Sequence, residues 1–378
     1  MKRTLTFTEV HDDFRSRLRD FLSVHVAPHT RRWEVDGMVP RHIWRQMGEN
    51  GFLCAALPPE YGGLGGDFRY GVIVIEELAR IGQNGLAAPL HSDIVVPYIS
   101  SYGTETLKAA YLPGCADGSC VTAVAMTEPG AGSDLSAMSA TAVEDGDEIV
   151  INGAKTFISN GLLCDLVVVA AKDPDAANPY EAISLFVVED GTPGFNKGQK
   201  LKKMGLESQD TAELFFSDCR IPAVNRLGTK GGGFLMLMEK LQQERLVVAV
   251  WAVAAARYVS DWLMTHREAL KQSGRIGQAA QFALVEMATE TTLGQVFIDA
   301  LVTAHMAGDQ VVGETSMAKY WTTDMAKRIC DRGLDLLGTT AAGNDHPVAR
   351  MFRDMRVMSI FAGTNEIMKG IAAKCMGL

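Results

Sequence analysis

Residues 120–134 read CVTAVAMTEPGAGSD and residues 148–161 read EIVINGAKTFISNG. The fold turns on these two stretches, because the texture of the chain changes there. Short apolar and β-branched runs continue in DLVVVAA (165–171), AISLFVVE (182–189) and AELFF (212–216). Turns rich in Gly, Asp, Pro and Asn separate them, such as AVEDGDE and KDPDAANP. Five or more such runs within about 100 residues predict a small antiparallel barrel or sandwich.

The texture on both sides is helical. Phe14, Leu18, Phe21, Leu22 and His25 recur at steps of three and four, and Val72, Ile73, Ile75, Leu78, Ala79 and Ile81 form a second stripe. Between them PPEYGGLGGD (58–67) excludes a regular element. After residue 234, long helices are predicted over 236–258, 278–306 and 316–337, with a turn and a last helix within 354–375. Four apolar-striped helices imply a bundle. The expected class is therefore α+β: a helical part over 1–118, a β part over 119–226 and a helical bundle over 227–378.

The chain has 378 residues, 47% hydrophobic and 21% charged, with a net charge of −9. That acidity argues against a general binder of nucleic acid or anionic membrane. No apolar run reaches the length of a membrane span, and the N-terminus turns acidic before any apolar core, unlike a secretory signal. The seven cysteines are scattered without a CxxC pair, which suggests reduced thiols and a cytoplasmic protein. There is no GxGxxG after a strand, no GxxxxGK[ST] and no HExxH, and no histidine has a metal-ligand neighbour at useful spacing, so no metal is expected.

Two motifs carry a physical case of their own. In MTEPGAGSD, Pro129, Gly130 and Gly132 make a loop whose backbone N–H groups can approach a ligand, with the Ser133 hydroxyl beside them. A plain inter-strand turn would look the same. In KTFISNG, Phe157 and Ser159 stand two apart and would share a strand face, as a merely buried strand would also allow.

Taken together, PPEYGGLGG, AVAMTEPGAGSD (123–134), INGAKTFISNG (151–161) and RMFRDMRVMSIFAGTNEIMK (350–369) resemble the acyl-CoA dehydrogenase family over nearly the whole chain. KTFISNG, QDTAELFFSD and QQERL are most similar to its long-chain and isovaleryl branch. The resemblance implies FAD, a homotetramer, an acyl-CoA or acyl-carrier thioester as substrate, and an electron-transfer flavoprotein as acceptor. It places Met126, Thr127, Gly132, Ser133, Phe157, Ile158, Ser159, Thr364, Asn365 and Glu366 at the flavin. Ser133 would also meet the substrate's stem.

The family's reaction removes a proton beside a thioester carbonyl while a hydride leaves the next carbon for the flavin. It needs a carboxylate of raised pKa in a dry pocket and donors on the carbonyl oxygen. Most members carry the carboxylate just before the Gly-Thr of the last motif; here that position is Ala362, followed by Gly363. In the long-chain and isovaleryl branch the glutamate stands on the first bundle helix, and LQQERLVVAV puts Glu244 there, with Arg245 toward the far end of the substrate. A glutamate on a helix is ordinarily exposed or ion-paired, here with Arg245 or Lys240 in reach. The loss of a carboxylate at 362 favours Glu244 as the base, with the Ala362 N–H polarising the thioester.

Departures gather on the adenosine side of the FAD. Arg267 and Gln278 match residues that reach a neighbouring subunit's FAD, but Leu270 and Lys271 replace a Phe-Gly pair between them. Where the family has Gln-x-x-Gly-Gly, this chain has Asp335, Leu336, Leu337, Gly338 and Thr339. A carboxylate accepts but cannot donate, an unfavourable neighbour for a pyrophosphate. Weaker FAD retention, or a non-catalytic place in a heteromeric dehydrogenase, are the alternatives these changes raise.

Overall fold

The N-terminal helices are fixed by which residues they bury. In α1 (Glu9–His25), His11, Phe14, Leu18, Phe21 and Leu22 are buried. His25 is exposed, so the stripe extends backward to His11 rather than forward. Short helices α2 (Thr30–Asp36) and α3 (Arg41–Glu49) follow. The loop over 58–67 holds one 3₁₀ turn at Pro59–Tyr61. At Gly63 a Cβ would fall 2.0 Å from the Leu57 carbonyl oxygen, so only glycine lets the loop close. Asp67 then caps α4 (Phe68–Arg80), accepting from the Arg69 N–H. A π-helical turn (Leu90–Val95), α5 (Val96–Tyr102) and α6 (Glu105–Asp117) complete this part. The structure is a computed structural model and describes residues 3–178, 180–272, 274 and 276–378.

Eight strands follow: β1 (Thr122–Ala125), β2 (Thr141–Asp145), β3 (Glu148–Ile158), β4 (Leu166–Lys172), β5 (Ile183–Glu189), β6 (Phe195–Lys200), β7 (Ala212–Pro222) and β8 (Arg226–Leu227). They form one sheet in the order β6-β7-β3-β2-β4-β5-β8, with β1 beside β4. The pairing is mainly antiparallel, but β1 runs parallel to β4, and β2 touches β4 in parallel. The β2–β3 hairpin lies between β1 and β4 in the chain. It returns the chain to its starting end, so β4 leaves in the direction of β1, which a purely antiparallel expectation misses. β4 is buried on both faces. Leu166, Val168 and Ala170 pack with the N-terminal helices, while Val167, Val169 and Ala171 fill the sheet's interior with Ile149, Ile151 and Phe186. That explains its unbroken apolar run.

The bundle consists of α7 (Gly233–Thr265), the short α8 (Arg267–Gln272), α9 (Gln278–Met306), α10 (Val312–Leu337), α11 (Pro347–Met355) and α12 (Asn365–Cys375). α9 has the predicted bounds; α7 and α10 begin earlier than the apolar stripe suggested. α7 starts against β5, where a Cβ at Gly233 would stand 2.7 Å from the Ile183 oxygen. Its 33 residues include a window of mean hydropathy 1.4, long and apolar enough to cross a membrane, which corrects the sequence reading. The bundle accounts for that hydropathy: Leu246 to Val250 and Ala252 to Ala256 are buried, packed with α4, α9 and α10.

Candidate active site

Glu244 lies on α7, about three turns past its first contact with the sheet at Gly233. The two preceding glutamines pin that turn. Gln243 Nε2 donates to the Asp93 carbonyl (2.6 Å), and its Oε1 meets His305 Nε2 (3.0 Å). Gln242 Oε1 accepts from the Val311 N–H (3.1 Å). Glu244 itself is only 9% exposed, and among the described residues its Oε2 has no hydrogen-bond partner. Burial pushes its carboxyl up to about 7, though Arg245 and Lys319 pull the other way. Lys240, a possible partner by sequence, pairs instead with Glu239 (3.6 Å). Among the described residues, Arg245 Nε and the Tyr98 hydroxyl are also buried without partners, and Tyr98 feels the charge of Glu244. A buried carboxylate with a free oxygen is costly for folding alone and suited to taking a proton.

On the turn before α12, Ala362 and Gly363 adopt left-handed backbone, with φ of 53° and 87°. Ala362 is half-buried, and Phe361 sets its ring edge-on to Trp251. Thr364 caps α12, accepting from the Ile367 N–H (3.3 Å), and Glu366 is exposed. Asn365 is buried, and its amide bonds Tyr320 O, Thr323 Oγ1 and Asp324 Oδ1. Its side chain thus ties α12 to α10. Lys319 on α10 is fully buried and donates to Gly363 O (2.6 Å) and Asn365 Oδ1 (3.2 Å). Sequence reasoning passed over Lys319. The signal was a lysine on the stripe Thr315, Thr322, Ala326 and Ile329, which is otherwise uncharged and buried throughout.

The MTEPGAGSD loop is clamped to β3. Glu128 and Lys155 form a buried ion pair (2.7 Å) with side chains 1% and 0% exposed. Glu128 Oε2 also accepts from the Ser139 N–H and Oγ (2.6 Å each), and Oε1 from the Ala140 N–H (2.9 Å). Lys155 Nζ donates to Met126 O (3.1 Å), and the Thr156 N–H to Thr127 O (2.9 Å). Burial alone would raise the Glu128 carboxyl, but Lys155 and Ser139 hold it down at about 2. This clamp brings Met126 and Thr127, both half-buried, against the 155–157 segment. Phe157 sits at φ 59° and is 66% exposed. The strand register is irregular there, so simple alternation fails: Phe157 is exposed, Ile158 buried and Ser159 half-buried. Gly132 and Ser133 are exposed, and a Cβ at Gly130 or Gly132 would meet nothing within 4 Å. An exposed aromatic on strained backbone, an open glycine loop and the Ala362 turn fit the ring and phosphates of a flavin nucleotide.

The remaining residues named from the sequence lie elsewhere. Arg267 follows the C-terminus of α7, donating to Met264 O (2.8 Å) and pairing with Glu268 (3.6 Å). Gln278 opens α9 and is exposed. Asp335, Gly338 and Thr339 are exposed at the end of α10, Leu336 is half-buried and Leu337 buried. The rise of α7 places Arg267 roughly 30 Å along the axis from Glu244. Gly333 packs on Val259 and Leu263, so the ends of α7 and α10 meet at that far end. Among the described residues, no group of three or more His, Cys, Asp or Glu could hold a metal.

The N-terminal, middle and C-terminal domain models of acyl-CoA dehydrogenase match residues 8–119, 123–219 and 231–377. The chain is 41% identical to the mitochondrial long-chain specific acyl-CoA dehydrogenase of Sus scrofa, over 97% of this chain and 86% of that protein. It is 32% identical to the mitochondrial isovaleryl-CoA dehydrogenase of Pongo abelii, over 95% and 87% of the two chains. The crystal structure of acyl-CoA dehydrogenase from Geobacillus kaustophilus superposes with a TM-score of 0.96 at 49% identity, covering all of both chains. The chain therefore belongs to the acyl-CoA dehydrogenase family, in its long-chain and isovaleryl branch, and is an enzyme of FAD-dependent acyl-CoA dehydrogenation.

Proposed function

We propose that Glu244 is the base of this dehydrogenase. The observation that carries the reading is its buried Oε2, without a partner among the described residues, in the field of Lys319, whose ammonium bonds the Ala362–Gly363 turn. The acyl thioester lies between the carboxylate and that turn. Glu244 takes the proton from the carbon next to the carbonyl. The Ala362 N–H donates to the thioester oxygen, where negative charge gathers as the proton leaves. The dry pocket keeps the carboxylate's affinity for the proton high enough for the transfer. Bound FAD supplies the hydride acceptor. Met126, Thr127, Phe157, Ile158, Ser159 and Thr364 would line its ring side, with Gly132 and Ser133 toward the phosphates. Arg245 holds the substrate beyond the thioester. Glu366 and Asn365 shape the cap of α12 beside the ring.

Arg267, Gln278 and Asp335–Thr339 lie too far from Glu244 to serve the same ring, which supports a homotetramer in which they meet a neighbour's FAD. An electron-transfer flavoprotein is the proposed acceptor and the cytoplasm the proposed location. The unpaired carboxylate in the pocket weighs against a non-catalytic subunit. Glu244→Gln keeps the shape of the pocket and removes the base. Flavin reduction by an acyl-CoA, followed by stopped flow, should then slow by roughly 10²–10⁴. Reduction at the wild-type rate would place the base elsewhere.

A further inference from the structure

We propose that Lys319 is a positioning residue for the thioester carbonyl: its buried ammonium, bonded to Gly363 O and Asn365 Oδ1, fixes the left-handed Ala362–Gly363 turn that presents the Ala362 N–H. The proposal rests on the reading of the pocket given above. It begins with a cost. Lys319 is fully buried, and no carboxylate lies within ion-pair distance of its ammonium among the described residues. Its hydrogen-bond partners are a backbone carbonyl at 2.6 Å and a side-chain amide at 3.2 Å, both neutral. A buried cation without a paired anion opposes folding, and an apolar side chain of similar length would pack there more cheaply.

The turn it holds is strained. Ala362 has a φ of 53°, which an alanine adopts only at a cost, and Gly363 follows at 87°. Neither N–H donates within the described residues, whereas Ile360 and Phe361 just before donate to Val357 O. Two adjacent N–H groups are thus left free on a turn whose carbonyl is gripped from behind. Lys319 grips Gly363 O, and Asn365, itself tied to Tyr320 O, Thr323 Oγ1 and Asp324 Oδ1, anchors the next residue but one. Released from that grip, Ala362 would relax toward ordinary backbone and turn its N–H away.

The same ammonium acts on the carboxylate across the pocket. Glu244 faces Arg245 on its own helix, Lys319 from α10 and Tyr98 from α5; Lys319 in turn faces Arg245, Asp324 and Glu366. Burial brings Lys319 itself down to about 8, and its charge opposes the upward shift that burial imposes on Glu244. Removing the charge should make Glu244 harder to ionise.

The two effects separate in two variants. Lys319→Gln keeps a donor for Gly363 O but removes the charge, and Lys319→Met removes both. The pH profile of flavin reduction is measured on FAD-loaded wild type, both variants and Glu244→Gln, with thermal melting as a check on folding. We expect the acid limb to move up by roughly 0.5–1 pH unit in both Lys319 variants. The plateau above that limb should stay within a few-fold of wild type in Lys319→Gln. In Lys319→Met it should fall by on the order of tenfold to a hundredfold. Unmoved limbs with unchanged plateaus would overturn the proposal and leave Lys319 a packing residue. If Lys319→Met does not fold, the limb and plateau of Lys319→Gln decide. If Glu244→Gln reduces its flavin at the wild-type rate, the base assignment fails. The gap between the Lys319→Gln and Lys319→Met plateaus then still decides whether Lys319 holds the turn.

Discussion

Glu128 and Glu244 are both buried, at 4% and 9% exposed, yet they titrate in opposite directions. Burial raises both. Glu128 receives an ammonium, two backbone N–H groups and a hydroxyl, and its carboxyl falls to about 2. Glu244 keeps one oxygen without a partner, and its carboxyl rises to about 7. Two things separate them: Glu244 lies deeper from water and lacks a donor on one oxygen, while the donors around Glu128 outweigh its burial. A saturated carboxylate holds a loop in place; an unsaturated one is available to a substrate.

The comparison breaks most severely at Lys155. Lys155→Met should leave Glu128 ionised and buried without its cation. Losing one partner of a buried pair costs about 3–5 kcal/mol, so the denaturation midpoint should drop by that equivalent. The pair has a pH signature as well. Because the folded carboxyl lies below its unfolded value near 4.5, its stabilisation is present above that pH and lost as pH falls toward 2. The variant should show a weaker loss across that window. Equal stability of variant and wild type at neutral pH would mean that Ser139 and the backbone suffice to hold the loop.

The opposite sign is expected at Glu244. Its folded carboxyl lies above the unfolded value, so ionisation destabilises the folded chain as pH rises from about 4.5 to about 7. Glu244→Gln removes that penalty. At pH 8 the variant should be more stable than wild type by about 3 kcal/mol, and at pH 4.5 the two should nearly coincide. Paired melts at the two pH values test this. A variant less stable than wild type at pH 8 would show that Arg245 or Lys319 depends on the charge, and the contrast with Glu128 would collapse.

Much of this was legible in the sequence, and what was not has physical causes. The span of α9 was readable because its buried positions Ala280, Met287, Thr291, Gly294, Ile298 and Leu301 recur at steps of three, four and seven. The first turns of α7 were not, since Gly233, Phe234 and Leu235 read as loop until β5 is there to receive them. The parallel β1–β4 pair depends on where a hairpin returns the chain, which no local pattern encodes. Glu244 could be singled out because Ala362 removed the alternative. Lys319 could not, because a lysine on a helix is read as a surface residue unless its stripe is followed on both sides. The adenosine-side segment shows the same limit: the motif names the stretch, but only the length of α7 shows that it lies far from Glu244.

The smallest expected effect is also the sharpest test of why one glutamate was left unsatisfied. If Glu244 and position 362 address the same substrate carbon, a carboxylate moved to 362 should do part of the work. Ala362 already carries the strain of a φ of 53°, so a longer side chain adds little backbone cost there. It is half-buried at the margin of the bundle core rather than inside it. In the double variant Glu244→Gln with Ala362→Glu, only one carboxylate remains, so no second charge shifts it further. Lys319, held on Gly363 O, would neighbour the new carboxylate and favour its ionised form. Flavin reduction should recover by roughly tenfold over Glu244→Gln alone, equivalent to about 1.4 kcal/mol of barrier. Ala362→Glu on its own should be slower than wild type, because two carboxylates would then compete for one dry site and raise each other's proton affinity. Recovery in the double variant with inhibition in the single one would tie both positions to one carbon. If neither variant differs from its parent, the side chain at 362 points away from the site and the freedom of Glu244 has another cause.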